Sequence, residues 1–562
     1  MEKIWLKSYA PGVPAEIDVE SLGSIAGYVD RSVAQYADRK AFISGSTGIA
    51  LTYREIDTLS RHVAAYFQGV LRLPQGSRVA LMMPNLLQYP VCLLGLLRAG
   101  YVVVNVNPMY TARELEHQLK DSGAEAIVVV ELFAHTLAKV IAATPVKHVV
   151  VTGLTDMLPL AQRALGNFLI RKVKKAVPPY DLPGSIGLRE LLARGAEAAF
   201  QPVEIQPDDL AFLQYTGGTT GVSKGAMLTH RCVLANVEQA RVWFDPIIDK
   251  QRAMIGIIAI PLYHIYALGN CLGGLGTGGT NVLVADPRNV PAFVKVLSHY
   301  AFDCLPAVNT LFIGLLNDPG FARLDFSKLL FGIGGGAAVQ RAVAEQWQKV
   351  TGSPLLEGYG LTECSPTVAV NPFDLKEYNG SIGLPLPSTE VSLRDADGQE
   401  VPLGQPGELC VRGPQVMKGY WQRPQETAAV MTADGYLRTG DVAVMDEAGF
   451  LRIVDRLKDM ILVSGFNVYP NEIEDVLMMH PGVLEAAAVG KTSAETGEAV
   501  KAFVVKKSPE LTAAMVIAHC REHLTGYKIP REVEFLDDLP KSNVGKVLRR
   551  ELRARSPEVN AP

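Results

Sequence analysis

Leu213-Gln-Tyr-Thr-Gly-Gly-Thr-Thr-Gly-Val-Ser-Lys-Gly-Ala226 is the most informative stretch of this 562-residue chain. The apolar lead-in Ala211-Phe212-Leu213 reads as a strand, and a helix is expected from Asn236 onward. Between them Gly217, Gly218, Gly221 and Gly225 are interleaved with Thr216, Thr219, Thr220, Ser223 and Lys224. Glycines let backbone N–H groups approach a ligand closely, hydroxyls donate to phosphate oxygens, and one lysine offsets their charge. A triphosphate tail suits that set, whereas a flexible linker accounts for neither the lysine nor the flanking elements. The order Ser223-Lys224-Gly225 departs from the Gly-Lys-Ser/Thr ending of a Walker A loop, which disfavours a P-loop hydrolase.

Around this loop the chain alternates helix and strand patterns. Thr52-Tyr-Arg-Glu55 and Thr111-Ala-Arg-Glu114 are capping boxes, each satisfying orphan amides of a first helical turn. The first opens a helix with Ile56, Leu59, Val63 and Phe67 on one face; the second carries Leu115 and Leu119 and stops at Gly123. The run Ala126-Ile-Val-Val-Val130 suits a strand covered on both faces. After about residue 385 the texture changes: turns at Asp397-Gly398, Asp434-Gly435 and Ala448-Gly449 separate short strands. The expected fold class is α/β plus α+β. A large α/β domain of several subdomains covers residues 1–455, with a small antiparallel, barrel-like sheet at 385–455. A small α+β domain covers 456–562, with a helix over 471–479 capped by Asn471 and strands near 486–489 and 502–505.

Composition narrows the function. With 48% hydrophobic and 20% charged residues the chain can bury a large core. Lys+Arg 54 against Asp+Glu 58 leaves a net charge of −4, which argues against nucleic acid as a partner. Seven scattered cysteines without a paired spacing read as reduced thiols of a cytoplasmic protein. The N-terminal residues lack a signal-peptide pattern and the last three form no peroxisomal or retention signal. Two charge-free stretches, 79–97 and 253–285, read as strands feeding core helices rather than membrane spans.

Four further motifs follow the glycine loop in order: Gly358-Tyr-Gly-Leu-Thr-Glu363; Tyr436-Leu-Arg-Thr-Gly-Asp441; Asp455-Arg-Leu-Lys-Asp-Met-Ile461 with Gly465 and Glu472-Ile-Glu474; and Pro540-Lys-Ser-Asn-Val-Gly-Lys546. Together the five resemble the adenylate-forming superfamily of acyl-CoA synthetases, luciferases and peptide-synthetase adenylation domains. The wording Ile461-Leu-Val-Ser-Gly-Phe-Asn-Val-Tyr-Pro-Asn-Glu472 is similar to bacterial long-chain fatty acyl-CoA synthetases. The resemblance implies a ligase that uses ATP, Mg²⁺ and CoA to turn a fatty acid first into an acyl-adenylate and then into a thioester. It implies a nucleotide site of Tyr215, Thr216, Gly217, Gly218, Thr219, Thr220, Gly221, Val222, Ser223, Lys224, Gly225 and Ala226. Gly335, Gly336, Glu357, Gly358, Tyr359, Gly360, Thr362, Asp441, Ile453, Arg456 and Lys458 would complete it. Glu363 and Thr216 would hold the metal, Asp441 the ribose hydroxyls, and Lys546 the charge that develops during adenylation. Lys224 and His264 join them as candidate catalytic groups. Lys458 marks the hinge of a mobile C-terminal domain, and Gly465 and Phe466 would meet CoA.

Tyr263, His264, Tyr266, Leu268 and Gly335 are the expected acyl-pocket residues. The glycines over 269–279 either leave room for a long chain or permit close helix packing. Between Asp156 and Asp181 there is no acidic residue, yet Arg163, Arg171, Lys172, Lys174 and Lys175 alternate with Leu158, Leu165, Phe168, Leu169 and Val173. That segment, 158–175, reads either as a solvated insertion or as a peripheral contact with inner-membrane lipid. A homodimer stays open. The rival readings are adenylation of a medium-chain or aryl acid, and a non-catalytic fatty-acid-binding protein coupled to transport.

Overall fold

The computed structural model describes residues 2–216, 223–464, 466–493, 495–542 and 545–555. Two large sheets form the body of the chain. In the first, strands run in the order Ile186–Gly187, His148–Thr152, Ala126–Val130, Arg78–Met82, Val102–Asn105, Leu210–Thr216 and Lys224–Thr229. All neighbours are parallel except the last pair. Ala126–Val130 is buried along its whole length, as its unbroken apolar run requires. The second sheet has nine strands, and its parallel centre includes Ile255–Ile258, Cys304–Ala307, Phe331–Gly334 and Leu355–Gly360.

The local signals hold where the segment itself closes the hydrogen bonds. Thr52–Glu55 caps the helix Tyr53–Ala65 and Thr111–Glu114 caps Ala112–Ser122, each with both reciprocal bonds formed. Such a cap stabilises a helix by about 1 kcal/mol. Gly123 ends the second helix at φ 62°, a left-handed conformation that glycine adopts without a Cβ clash. The charge-free stretches are Arg78–Met82 with helix Gln88–Arg98, and Ile255–Ile258 with helix Ile265–Gly276 and strand Thr280–Leu283. Among the described residues no helix is long and apolar enough to cross a membrane.

Two expectations differ from the structure. The helix after the glycine loop is His230–Phe244, not a helix starting at Asn236. Strand Lys224–Thr229 intervenes and pairs antiparallel with Leu210–Thr216. A second strand, rather than a helix, is therefore the next described element after Leu210–Thr216. In the C-terminal part the helix is Pro470–Met478, with no side-chain cap. Proline fits the first helical position, where its missing N–H costs nothing. Asn471 lies inside the first turn and is engaged elsewhere: its N–H donates to Asp455 Oδ2 at 3.0 Å and its Oδ1 accepts from Arg549 at 2.5 Å.

Glu390–Arg394, Gly407–Arg412, Leu437–Met445 and Leu451–Arg456 form a four-stranded antiparallel sheet. The residues after it build a separate mixed sheet around Gly497–Lys506 and Val483–Ser493, with Glu532–Leu536 added in parallel. This last unit has cores of its own, one around Ile473, Val504 and Val516 and one around Phe503 and Leu552.

Candidate active site

The parallel strands of the second sheet end side by side, and Val308, Gly335 and Gly336 just beyond them, with Gly358, Tyr359 and Gly360 at the end of strand Leu355–Gly360, enter the wall of a cavity of about 700 Å³. Open α/β sheets place ligands at the carboxyl ends of their strands for this reason: the chain must leave the sheet there and opens a crevice. Thr216, Lys224, Thr362, Glu363, Asp441, Arg456, Lys458 and Lys546 share that wall. Five motifs scattered over more than three hundred residues of sequence therefore face one space.

Register explains one pairing. Asp441 and Arg456 are direct cross-strand partners in the antiparallel sheet, which brings Arg456 Nε to 3.0 Å from Asp441 Oδ1. Tyr359 donates its hydroxyl to the other oxygen, Oδ2, at 2.6 Å. Glu363 sits in the short turn Thr362–Cys364, and its Oε1 accepts from the Tyr420 hydroxyl at 2.7 Å. Lys224 forms an ion pair with Glu426 and lies 5.2 Å from the centre of the Tyr420 ring.

Lys546 comes from the C-terminal unit. Its loop closes on itself, with Gly545 N–H donating to Ser542 O at 2.9 Å and Ser542 N–H to Lys546 O at 2.7 Å. Thr310 of the second sheet's layer donates to Gly545 O at 3.3 Å. Gly545 has φ 79°, and a Cβ there would lie 2.6 Å from Thr310 Oγ1, so only glycine allows this seating. Desolvation, reinforced by the positive Arg456, lowers the Lys546 ammonium from 10.5 to about 7. His264 is lowered to about 4, first by burial and then by Lys546, so its ring is neutral. Its Nδ1 accepts from Tyr266 N–H at 3.3 Å and caps the helix Ile265–Gly276. The same residue lines the cavity and closes a helix end. Glu357 is buried beneath the cavity, accepts from Val339 N–H at 3.2 Å, and is raised to about 8 by burial.

Several expected residues lie elsewhere. The Tyr215 hydroxyl points away from the cavity and donates to Asp121 Oδ2 at 2.7 Å. Ala226 is buried opposite Tyr420, and Gly225 accepts from Trp421 N–H at 2.8 Å. Ile453 packs against the large core. Leu268 is fully buried in that core, and Tyr263 contributes its carbonyl to Gln214 at 2.6 Å; neither lines the cavity. Tyr266 and Gly335 do. Phe466 is 57% exposed and stacks on Tyr527 with ring centres 4.9 Å apart, away from the cavity. Gly217, Gly218, Thr219, Thr220, Gly221, Val222 and Gly465 lie outside the described residues.

The sequence reading missed the brace behind strand Lys224–Thr229. Residues 417–423 run along it, with Met227 N–H donating to Gly419 O at 2.9 Å and Lys418 N–H to Met227 O at 3.0 Å. Trp421, Arg423 and Tyr215 all converge on Asp121. Two adjacent aromatics after Gly419 were the only hint in the sequence.

Away from the charged groups the cavity continues between helices His230–Phe244 and Ile265–Gly276 and the second sheet. That arm is walled by Val237, Phe244, Ile248, Met254, Ile258 and Phe331. The joint to the C-terminal unit lies beside the charged end. Asp455 is fully buried there and raised to about 6 by desolvation, while Arg549 binds Glu474 at 2.7 Å and approaches Asp455 at 3.6 Å.

A crevice at the strand ends, lined by a carboxylate-bound arginine and a loop lysine from a second unit, is the site of the AMP-binding enzymes, and the chain belongs to that family. Residues 29–421 match the AMP-binding enzyme domain and 472–546 the AMP-binding enzyme C-terminal domain. The chain is 58% identical over 98% of both chains to a long-chain-fatty-acid–CoA ligase of Escherichia coli O157:H7, and 56% identical, with the same coverage, to one of Yersinia pestis. Among solved structures, a benzoate CoA ligase from Burkholderia xenovorans LB400 superposes with a TM-score of 0.80 at 26% identity, covering 94% of this chain and 99% of that one.

Proposed function

We propose that the chain is a long-chain-fatty-acid–CoA ligase, forming acyl-adenylate and pyrophosphate from ATP and then acyl-CoA and AMP. The observation that carries this is the continuity of one cavity from Lys546, Asp441 and Glu363 into a long apolar arm. A carboxylate is a poor electrophile, and joining it to AMP supplies a good leaving group. In the first half-reaction a carboxylate oxygen attacks the α-phosphorus, a P–O bond forms, and pyrophosphate leaves with the electrons of the broken bond. The chain's part is positioning and charge compensation. Asp441, already fixed by Arg456 and Tyr359, would take the ribose hydroxyls as acceptor. Lys546, once protonated, would offset charge on the carboxylate and α-phosphate oxygens. Neutral His264 can donate only from its free ring nitrogen, which suits orienting the acid rather than proton transfer. Glu363 and Thr216, both oxygen donors, fit a hard ion such as Mg²⁺. That ion, when bound, neutralises phosphate charge. In the second half-reaction the CoA thiolate attacks the acyl carbon and AMP leaves.

With Lys546 in the cavity wall at the α-phosphate, CoA would have to reach the same carbonyl, so the C-terminal unit would move between steps. The pivot would be residues 455–458, where Leu457 N–H donates to Gly440 O at 3.1 Å, with Gly465 and Phe466 brought to the pantetheine arm afterwards. Incubation with ATP, Mg²⁺, CoA and acids from C4 to C20, with aromatic acids alongside, should give AMP, pyrophosphate and acyl-CoA, best with the long acids. ADP and inorganic phosphate in their place would overturn the assignment.

Contact with lipid is the second part of the proposal. Helix Leu160–Phe168 and the turn Leu169–Val173 are built inside out. Leu160, Leu165, Phe168, Leu169 and Val173 are exposed, Leu160 by 72%. The protein-facing side is polar: Asn167 accepts from Thr155 at 2.5 Å, and Arg171 pairs with the buried Glu131 at 2.5 Å. An outward apolar stripe beside Lys172, Lys174 and Lys175 suits an anionic membrane surface. Reversing those three lysines should reduce co-sedimentation with phosphatidylglycerol liposomes; unchanged binding would remove the idea. Arg171 is left in place because its charge serves Glu131.

A further inference from the structure

We infer that the C-terminal unit carries a binding site for one transition-class divalent cation, formed by His519, Glu522 and His523. The three occupy positions i, i+3 and i+4 of helix Ala513–His523, so they share one face. One ligand atom from each lies within 4.8 Å of the others. Tetrahedral zinc with bonds of about 2.0–2.1 Å needs donors about 3.3 Å apart. Rotation of the exposed Glu522 and His523 side chains covers that difference.

The tautomer of His519 is set by its surroundings. Its Nε2 lies 2.9 Å from Val476 O, and a carbonyl can only accept, so Nε2 carries the proton and Nδ1 keeps a lone pair. An imidazole whose second nitrogen donates to a backbone carbonyl is the usual arrangement of a metal-binding histidine, because the bond fixes both ring and tautomer. His480 packs edge-on against the same ring at 5.2 Å and is held by Gly482 N–H, which donates to its Nδ1 at 3.0 Å. It braces His519 from behind. The His523 ring stands 4.7 Å from that of His519. All three candidate ligands lie in the last two turns of the helix, where the backbone dipole favours a cation.

Two imidazoles, which are borderline donors, beside one carboxylate select zinc, nickel or copper over magnesium. The site is therefore distinct in chemistry from the oxygen donors Glu363 and Thr216. Cysteine competition is limited: six of the seven thiols are buried, Cys520 on this same helix among them.

The full-length protein, reduced and saturated with Mg²⁺, is titrated with Zn²⁺ by calorimetry. Wild type should bind one equivalent. His523→Ala and His519→Gln, the latter keeping a donor toward Val476, should each weaken that equivalent at least tenfold. Both variants should retain wild-type melting temperature in chelator and AMP-forming activity with Mg²⁺ within about twofold. Absence of zinc binding by wild type, or an equally tight equivalent in both variants, would overturn the proposal.

Discussion

At its charged end the cavity is made of side chains that hold one another: Asp441 by Tyr359 and Arg456, Glu363 by Tyr420, Lys224 by Glu426. At its apolar end it is made by side chains that are missing. The helix Ile265–Gly276 shows this residue by residue. A Cβ on Gly276 would lie 1.6 Å from the Tyr28 hydroxyl, and one on Gly274 would lie 2.9 Å from Asn281 Oδ1, so these glycines permit close packing. A Cβ on Gly273 would meet nothing within 4 Å, and Gly273 lines the cavity. Close packing and open space thus occur side by side along this helix: Gly273 and Gly274 both reach the cavity wall, but only at Gly273 would a Cβ find open space, and Gly276 lies off that wall. A polar site is specified by what is present, whereas an apolar channel is specified by what its neighbours leave empty.

The largest effect should come from the charged end. Lys546→Ala removes the group proposed to act as charge develops, and losses of that kind cost on the order of a hundredfold or more in rate. Pyrophosphate exchange should fall by that factor while thioester formation from supplied acyl-adenylate is largely spared; equal loss of both would contradict the role.

The apolar end should respond to volume instead. Gly273→Leu should lower kcat/KM for a C16 acid more than about tenfold and for a C8 acid less than about twofold, since two excluded methylenes already represent about 1.6 kcal/mol. Gly276→Ala should leave that ratio unchanged and lower the melting temperature, because overpacking against Tyr28 costs about 1–3 kcal/mol. A shift in chain-length preference from Gly276→Ala, or none from Gly273→Leu, would erase the distinction between the two positions.

A smaller effect concerns protons. Lys546 is held at about 7 against an ordinary 10.5. Between those values the unfolded chain binds a proton that the folded chain does not, so this group makes the protein more stable as pH rises through that window. Nucleotide phosphates restore the charged form. ATP binding at pH 8 should therefore take up close to one proton, read as a buffer-dependent calorimetric enthalpy, and Lys546→Met should abolish the uptake. Binding enthalpies independent of buffer would show that Lys546 is not depressed.

Much of the charged end was legible because its chemistry is tied to residue type. Glycines among hydroxyls and one lysine, a carboxylate after Gly-Leu-Thr, and a lysine after glycine are recognisable without their neighbours. The capping boxes were legible for the same local reason. The course of the chain after the phosphate loop was not. Strand Lys224–Thr229 owes its conformation to Leu210–Thr216 on one side and to residues 417–421 on the other. The next helix is capped by Thr229 with Cys232 at the third position, outside the usual Glu/Gln pattern. Tyr215 looked like part of the nucleotide site, yet its hydroxyl belongs to Asp121, ninety-four positions away.

By itself the sequence determined which chemistry-bearing groups would line the cavity, among them Thr216, Lys224, Glu363, Asp441 and Lys546, and in what order along the chain they come. Tertiary structure alone decided that Asp441 faces Arg456, that residues 417–423 buttress strand Lys224–Thr229, and at which cavity-lining glycine a Cβ would find open space. The reason is physical: a functional group carries its chemistry wherever it sits, but a register, a brace or an empty volume exists only between segments that folding has brought together.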